Sequence, residues 1–592
     1  MKDFGKMLLA VICGLIVVQI VKYIFLFMFI GGLTATGSQP IPKQGVLDMN
    51  MSEIAIVEQP DGLTMPGLSF SGLAMDVTAP VGLRNAVKAI EAAAADPGVK
   101  YILLRPDGVS AGMADFEELR KALVEFRQSG KAVVAFTENP SNGSYYLATA
   151  ADKIYMSSVK GGTNMLIGVS ANLIFLKDVL DKLGVNVQLI RHGKYKSAGE
   201  MYIRSSSSPE NREQNQVMIN TAWKNICAPV TEAREISEAE FNSLVDNLAL
   251  VFPEDFLKAG LVDELMDHET LVSKLCTLAQ IENAKDFKLI PFAAYVENKT
   301  ALELPGRSNV AIIYADGEIV EGKGLDGIAG DRFVKVIDDV RKDATVKAVV
   351  LRVNSPGGSV SASEKIRSAL EVLQKEKPLV ASYGNYAASG GYWISNGCQK
   401  VYSDANTITG SIGVFSMIPE FSKVTKKIGV TIETVGSNKH SDMYSLMRPF
   451  DAAELKVMQA GVEDIYDTFV NLVAQGRDMA PTAVDKIAQG RVWMGSDALE
   501  IGLVDEIGTL EDAIVYAAGL AGLHFKEDYH VVSFPKPLTP AEQLLAAMGQ
   551  SPEEPTILSG TPFKAMGSAV EKLLDSEPSA VYARMPYSIE IR

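Results

Sequence analysis

The amino-acid sequence predicts an α/β protein made by tandem duplication of one domain. Its predicted strands are continuous apolar runs, such as residues 310–314 and 348–351, which is typical of a parallel sheet covered by helices on both faces. Amphipathic helical patterns separate these runs, and this alternation indicates α/β architecture. A long apolar stretch near the N-terminus predicts one transmembrane helix ahead of the duplicated part.

Four segments recur in the same order along the chain, and they are the evidence for the duplication. Their offsets are 247, 246, 240 and 242 residues, as expected for two copies that have gained and lost a few residues. The matching pairs are 96–112 with 343–359, 131–157 with 377–403, 216–218 with 456–458, and 260–265 with 502–507.

The repeat divides the chain into four predicted parts. The last part includes a stretch rich in Pro, Glu and Ser at 535–576, where the alternating pattern weakens. The predicted parts are a membrane anchor at 1–35, a first repeat at 36–300, a second repeat at 301–530 and a C-terminal extension at 531–592.

Charge and cysteine content exclude several classes of function. The 592 residues include 72 acidic and 56 basic side chains, so the net charge of −16 gives no support for binding nucleic acid. The cysteines are scattered and predict neither a disulfide framework nor a metal site. A phosphate-binding Gly-x-x-x-x-Gly-Lys motif followed by Ser or Thr is absent from the sequence, and we therefore expect no metal or cofactor.

The apolar stretch at residues 7–33 is long enough to cross a hydrocarbon layer, which needs about 20 residues. Lys22 interrupts it, but a single lysine can extend to the membrane interface. A cleaved signal peptide is the alternative, although the run exceeds the usual apolar length of about 7–15 residues and no clear A-x-A site follows. Lys2 and Lys6 precede the span, so the positive-inside rule places the N-terminus in the cytoplasm and the rest of the chain outside.

A candidate nucleophile, Ser389, lies near the end of the stretch KPLVASYGNYAASGG at 377–391. An apolar run at 378–381 predicts a buried strand, and GGYWI at 390–394 predicts the start of a helix. A serine at such a turn has its hydroxyl beside the first free N–H groups of the helix. The alternative is structural: serine is small, and A-A-S-G-G is not the G-x-S-x-G turn of α/β-hydrolases.

The two repeats differ where this chemistry would occur. Ser389 aligns with Gly143, or with Ser141 or Ser144 if the loop is slipped. The second repeat also carries SPGGS, whose Gly357 and Gly358 allow backbone N–H groups to approach a carbonyl closely, as an oxyanion hole requires. The first repeat has DGVSAG instead, so only the second repeat combines both features.

A serine nucleophile needs a base, and the sequence offers two kinds. His192 and His440 lie in corresponding loops of the two repeats, but neither belongs to a recognisable triad segment. A lysine is the other choice, provided that burial keeps it neutral. Lys196 lies in the small and hydroxyl-rich segment GKYKSAG at 193–199, and no lysine in the second repeat aligns with it.

Together these motifs identify a family. The chain resembles the signal peptide peptidase A (protease IV) family in its long, duplicated form, over almost its whole length. The resemblance rests on LRVNSPGGSVSASEKIRSAL, AASGGYWIS, TGSIGV, and YKSA followed by Glu200. The chain departs from the pattern after the lysine, where Gly199-Glu200-Met201-Tyr202 replaces the more usual x-E-P-F/Y.

The resemblance implies a crotonase-like or Clp-protease-like fold for each repeat and a Ser/Lys dyad divided between them. Ser389 would be the nucleophile, Lys196 the general base, and Ser411 the residue that orients the lysine. Gly390, with either Gly357 or Gly358, would form the oxyanion hole.

The resemblance further implies a homotetramer in the bacterial inner membrane, with its catalytic part outside the cytoplasm. Its substrates would be cleaved signal peptides and, in addition, misfolded exported proteins. Two other hypotheses stay open from the sequence: a membrane-tethered scaffold that binds without cleaving, and a Ser/His hydrolase that uses His192 or His440.

Overall fold

The computed structural model describes residues 41–59, 78–162, 164–282, 286–300, 306–325, 327–536 and 581–585. The predicted transmembrane helix at 7–33 lies outside these residues, as does almost all of the segment 535–576. Within the described ranges, no helix is both long enough and apolar enough to cross a membrane.

The first repeat is built on a six-stranded parallel sheet. The strands of the whole repeat, six of which form this sheet, are β1 Gly45–Asn50, β2 Ile54–Val57, β3 Ala79–Gly82, β4 Val99–Arg105, β5 Val133–Thr137, β6 Lys153–Ser157, β7 Asn186–His192, β8 Glu264–Met266 and β9 Leu289–Pro291. The sheet has the order β8-β6-β5-β4-β1-β9, while β2 and β3 form a separate parallel pair.

Helices connect and cover the strands of this sheet, as the parallel order requires. They are α1 Leu83–Ala95, α2 Met113–Arg127, α3 Asn142–Ala148, α4 Lys177–Leu183, α5 Glu200–Ile203, α6 Pro209–Arg234, α7 Glu238–Asp246, α8 Pro253–Lys258, α9 His268–Leu278 and α10 Phe292–Thr300. Ser208 caps α6 through its side chain, and Pro209 occupies the first turn, as the sequence predicts.

The second repeat contains the corresponding sheet. The strands of the second repeat and the C-terminal extension are β10 Asn309–Asp316, β11 Ile319–Val320, β12 Ile328–Ala329, β13 Val346–Ser355, β14 Gly357–Ser359, β15 Leu379–Ala388, β16 Val401–Ser403, β17 Ile408–Gly410, β18 Val414–Glu420, β19 Val492–Met494, β20 Glu506–Ile507, β21 His530–Phe534 and β22 Tyr582–Arg584. The main order is β19-β17-β15-β13-β10-β21, parallel except for β19, with β16 and β20 alongside β15.

The helices of the second repeat are α11 Gly330–Lys342, α12 Val360–Gln374, α13 Gly390–Ser395, α14 Ser422–Lys427, α15 Ala452–Gly476, α16 Pro481–Ile487, α17 Gly495–Glu500 and α18 Leu510–Leu520. Strand β15 continues to Ala388, beyond the predicted strand at 378–381. The reason is that Tyr386–Ala388 pair with β17 and extend the sheet toward Ser389, despite the small residues and the asparagine there.

The two repeats share polar contacts as well as topology. Lys131 Nζ lies 2.7 and 2.6 Å from the carbonyl oxygens of Ala93 and Asp96. Lys377, its counterpart, makes the same contacts with Val340 and Asp343 at 2.8 and 2.6 Å. These lysines fix the strand that follows to the preceding helix, so the duplication extends to individual hydrogen bonds.

A third sheet joins the repeats, and it determines where the candidate site forms. Its order is β12-β11-β14-β22-β18-β7, in which β7 comes from the first repeat, β22 from the C-terminal extension and the other strands from the second repeat. Strands β7 and β18 are antiparallel over their full length, with His192 opposite Val414 and Asn186 opposite Glu420.

A buried ionic contact also links the repeats. The Arg352 side chain is fully buried and forms ion pairs with Glu58 and Glu118 of the first repeat, both at 2.8 Å. Its counterpart Arg105 instead pairs with Asp48 inside its own repeat. Removing one partner of this contact would leave an uncompensated buried charge. The arginine and both glutamates are therefore needed together to stabilise the packing of the two repeats.

Candidate active site

Ser389 stands at the junction of β15 and α13, in an unusual backbone conformation. Its φ is 56° and its ψ is −112°, which is rare for a residue with a side chain. The surrounding structure fixes it, because Ser389 N donates to Gly410 O at 2.8 Å and Trp393 N donates to Ser389 O at 2.8 Å. Hydrogen bonds therefore hold the backbone of this turn through both the N–H and the carbonyl of Ser389.

The pairing of β7 with β18 brings Lys196 to this turn. Lys196 follows the end of β7 by four residues, and Ser411 precedes the start of β18 by three. Because the strands are antiparallel, the chain leaving one is adjacent to the chain entering the other. Two contacts with the second repeat complete the placement: Tyr195 N donates to Gln489 O at 2.9 Å, and a Cβ at Gly490 would lie 2.5 Å from Lys196 Cβ.

The Lys196 side chain ends between two serines. Its Nζ lies 2.8 Å from Ser389 Oγ, 3.0 Å from Ser411 Oγ and 3.2 Å from Ser411 O. Lys196 is 1% exposed and both serines are fully buried. Among the described residues, no carboxylate forms an ion pair with Lys196. Burial therefore lowers the pKa of its ammonium group well below the ordinary value of 10.5, and the charge of Arg584 lowers it further.

Ser411 resembles Ser389 in its backbone, since its φ is also positive, at 52°. Its N–H donates to Arg491 O at 2.7 Å, which anchors the turn that precedes β18. Both its hydroxyl and its carbonyl then point at Lys196 Nζ. The geometry thus gives Ser411 two contacts that fix the position of the amine.

The three predicted glycines surround the nucleophile at close quarters. Gly357 has a φ of 97°, and a Cβ there would lie 2.6 Å from Gly390 N and 2.1 Å from Ala583 O. A Cβ at Gly390 would lie 2.8 Å from Ser363 Oγ, and one at Gly358 would lie 1.9 Å from Ile319 O. None of these positions has room for a side chain. Gly390 begins α13, where the first N–H groups lack helical partners.

The loop after the lysine depends on Glu200, which is 1% exposed. Glu200 Oε1 lies 3.3 Å from Arg191 Nη1, and the same Nη1 donates to Lys196 O at 2.6 Å. The other carboxylate oxygen accepts from Ser208 N at 3.2 Å. A Cβ at Gly199 would lie 2.4 Å from Leu189 Cδ1, so this glycine lies directly against β7.

The two candidate histidines do not contact the nucleophile. His192 stacks on Tyr466 with ring centroids 3.9 Å apart. His440 Nδ1 lies 2.9 Å from Glu454 Oε1, and Arg448 binds the same carboxylate at 2.8 Å. His440, Asp451 and Glu454 lie close enough to hold a cation, but the arginine and the cap of α15 already use these carboxylate oxygens.

The first repeat has no equivalent site at the aligned position. Ser141 and Ser144 bond to each other at the start of α3, with 3.2 Å between their hydroxyl oxygens. Gly143 aligns with Ser389, and a Cβ there would lie 2.8 Å from Phe116 Cε2. The serines of the first repeat thus cap a helix.

Residues 125–282 and 371–524 both match Peptidase family S49, once in each repeat. The chain belongs to peptidase family S49. Protease 4 of Salmonella typhi is 35% identical, over 92% of this chain and 85% of that protein. Protease 4 of Haemophilus influenzae is 36% identical, over 73% of this chain and 71% of that protein.

The serine protease SPPA of Arabidopsis chloroplasts is 29% identical, over 78% of this chain and 68% of that protein. A ClpP1 mutant from Listeria monocytogenes covers 34% of this chain and 94% of its own at 14% identity, but its TM-score of 0.24 carries no argument. Membership of family S49 makes the protein a serine peptidase and confirms both the predicted family and its duplication.

Four features of the site were not predicted from the sequence: the positive φ of both serines, the contact with Gln489 and Gly490, the ion pair of Glu200, and the presence of Arg584 near the lysine. The role of Glu200 could have been predicted, since this residue belongs to the family motif. The others depend on contacts between distant segments and leave no local pattern.

Proposed function

We propose that the protein is a membrane-anchored serine endopeptidase with a Ser/Lys dyad, in which Ser389 is the nucleophile and Lys196 the general base. The observation that carries this proposal is the 2.8 Å separation of Lys196 Nζ and Ser389 Oγ in a buried site. A lysine held away from water and carboxylates loses its proton at a lower pH, which a base requires.

The first step is attack on the peptide carbonyl. Neutral Lys196 accepts the proton of the Ser389 hydroxyl while Oγ forms a bond to the carbonyl carbon. Ser411 keeps Nζ in line through its hydroxyl and carbonyl oxygens. Because the amine is already positioned, little additional orientational entropy is lost on reaching the transition state.

The oxyanion that forms needs hydrogen-bond donors. We assign this role to the N–H of Gly390 and to one N–H of the Gly357–Gly358 turn, since the glycines let the carbonyl approach the backbone. The protonated lysine then gives its proton to the leaving amine and the C–N bond breaks. A water molecule, deprotonated by the same lysine, releases the acyl group from Ser389.

Two mutations test the dyad. We expect Ser389→Ala and Lys196→Ala each to lower kcat for a fluorogenic peptide by at least about 10⁴-fold, and the double mutant to be no worse than either. Lys194→Ala is the matched control, because Lys194 is exposed two residues away. Near-normal activity in either single mutant would refute the dyad, and labelling of Ser389 by an acylating probe separates a peptidase from a non-catalytic scaffold.

The proposed substrates are cleaved signal peptides and misfolded exported proteins. Support comes from the apolar stretch at 7–33, the resemblance to the signal peptide peptidase A family, and the absence of an ATP-binding motif. On this proposal, each repeat is a crotonase-like or Clp-protease-like domain, four chains assemble, and the catalytic part faces away from the cytoplasm of a bacterium. Extraction at alkaline pH tests the anchor, because a spanning protein stays with the membrane.

A further inference from the structure

A cavity of about 1330 Å³ lies in the first repeat, at the carboxyl ends of its parallel strands. Its wall includes residues of the turns at 107–112 and 138–141, which follow β4 and β5. The aligned turns of the second repeat carry Gly357 and Ser389, and both residues are buried. In the first repeat, by contrast, Ser110 is exposed. The first repeat therefore keeps an open cavity at the position where the second repeat has its candidate active site.

The charged side chains that line this cavity are mostly acidic. Among the described residues, five carboxylates line it against one arginine, Arg105, whose guanidinium already binds Asp48. The acidic residues are Glu58, Asp107, Asp115, Glu138 and Asp316. A cavity with this excess of negative charge repels phosphates and carboxylates and attracts a cationic ligand.

Two of these carboxylates are buried, and each keeps one oxygen without a hydrogen-bond partner among the described residues. Asp115 is 3% exposed; its Oδ2 accepts from Gly112 N at 2.8 Å and from Asn385 Nδ2 at 3.0 Å, but its Oδ1 has no partner. Glu58 is 5% exposed and binds Arg352 through Oε2, while its Oε1 has no partner. A buried carboxylate oxygen without a partner costs free energy, so this wall lacks a donor that a ligand can supply.

The surroundings of Asp115 show the same deficit of positive charge. Burial and the nearby charge of Glu58 raise the pKa of Asp115 to about 7, against the hydrogen bond from Asn385 and the charge of Arg352, which lower it. Asp404 is a further carboxylate that faces Asp115. A cation bound beside Asp115 would favour its charged form, so binding at neutral pH should release a proton.

Much of the remaining wall is apolar, and the cavity is large. Phe136, Leu271 and Leu275 line it, as does Met165, which is 38% exposed. The volume exceeds the roughly 300–1,000 Å³ of a typical small-molecule pocket, so the cavity has room for a peptide segment. Among the described residues, the carboxylate oxygens of this cavity do not form a group of three that could hold a metal ion. The cation that suits this cavity is therefore the side chain of a peptide.

We propose that this cavity is a second, non-catalytic binding site, which takes a peptide segment that carries a lysine or arginine beside large apolar side chains. The basic group donates to the unpartnered oxygens of Asp115 and Glu58, and the apolar side chains pack against the wall that includes Phe136. Neither Ser389 nor Lys196, which the structure describes, lines the cavity. The inference therefore does not depend on the proposed function.

Titration calorimetry on the full chain tests the site, with Ser389→Ala throughout so that no peptide is cleaved. The probe is acetyl-Leu-Lys-Leu-Leu-amide. One control peptide has norleucine in place of the lysine, and the other has serine in place of the three leucines. We expect the probe to bind once per chain, at least about tenfold more tightly than either control. Equal binding of the three peptides, no binding of the probe, or equally tight binding of spermidine overturns the inference.

Two variants locate the binding site. Asp115→Asn removes the charge, and Asp512→Asn is the matched control, because each aspartate accepts from the N-cap N–H of its helix at 2.8 Å. Asp115→Asn should weaken probe binding at least about tenfold. It should also abolish the release of about half a proton per peptide at pH 7, measured in buffers of different ionisation enthalpy. Asp512→Asn should keep both, whereas a merely structural role for Asp115 leaves the proton release unchanged and contradicts the proposal.

A charge reversal at an exposed lining residue gives a test that spares the interior. Glu138→Lys should weaken probe binding, because it adds a positive charge to the wall of the cavity. Glu125→Lys is its control, since Glu125 is exposed on α2. Unchanged binding in Glu138→Lys, or equal losses in both variants, would overturn the placement of the peptide in this cavity.

Discussion

The two repeats keep the same structural contacts and differ at the residues of the proposed chemistry. Lys131 and Lys377 bind helix carbonyls in the same way in each copy. At the turn after the next strand, however, Gly143 lies against Phe116, while Ser389 has a positive φ and a hydroxyl 2.8 Å from Lys196 Nζ. Duplication thus preserved the scaffold while each copy specialised.

The segment that carries Lys196 and the segment aligned with it in the second repeat complete this comparison. The first repeat buries Lys196 at the interface, whereas the corresponding loop of the second repeat, residues 436–443, exposes Lys439 and ties His440 to Glu454. In the proposed mechanism, one copy therefore supplies the amine and the other the hydroxyl. The lesson is that a duplicated enzyme can divide one site between its copies, so neither repeat alone should be active.

The largest effect after loss of the dyad should come from the glycine turn. Gly357→Ala forces a Cβ into the space of Ala583 O at a φ of 97°, and it obstructs the approach of a carbonyl to the N–H groups. We expect kcat to fall by about 10²–10³-fold. Gly397→Ala is the control, since nothing lies within 4 Å of the added Cβ, and equal losses in both variants would contradict the assignment.

Restoring a serine to the first repeat should not create a second site. Gly143→Ser brings a side chain within 2.8 Å of Phe116, so we expect a loss of about 1–3 kcal/mol in unfolding free energy. It should not rescue Ser389→Ala, because Lys196 Nζ is positioned beside residue 389. Urea unfolding and peptide hydrolysis measure the two effects, and any rescue would show that the repeats are less specialised than proposed.

Stability should depend on pH through Lys196. Between its depressed pKa and the ordinary 10.5, the unfolded chain binds a proton that the folded chain does not, so stability rises with pH by up to about 1.4 kcal/mol per unit. Lys196→Met has no titrating group at this position. The difference in unfolding free energy by which it exceeds the wild type should shrink as the pH approaches 10.5. Lys194→Met should show no such trend in urea unfolding.

The two buried glutamates that bind the N-cap residues of α6 and α15 should differ in importance. Glu200 and Glu454 both accept from the N–H of a helix N-cap and both bind an arginine, but only the arginine of Glu200 contacts the lysine loop. We expect Glu200→Gln to lower kcat about tenfold, equivalent to about 1.4 kcal/mol. Glu454→Gln should change unfolding free energy with little change in kcat, and equal effects on kcat would contradict a positioning role for Glu200.

Local patterns predicted the duplication, the α/β class and the residues that meet at the site. The strands at 310–314 and 348–351 were visible because a strand buried on both faces leaves a continuous apolar run in the chain. The backbone of Ser389 and the position of β22 were not, since a positive φ is imposed by surrounding contacts and a three-residue strand has no periodicity. The pairing of β7 with β18 depends on two segments more than 200 residues apart.

Covalent labelling of Ser389 tests the divided site most directly. A serine-directed acylating probe is applied to the full chain and to its Lys196→Ala variant, and the modified peptide is identified by mass spectrometry. We predict labelling of Ser389 in the wild type, at a rate that rises with pH as Lys196 loses its proton, and almost no labelling in the variant. Equal labelling in both chains would show that Ser389 is activated without the lysine of the first repeat.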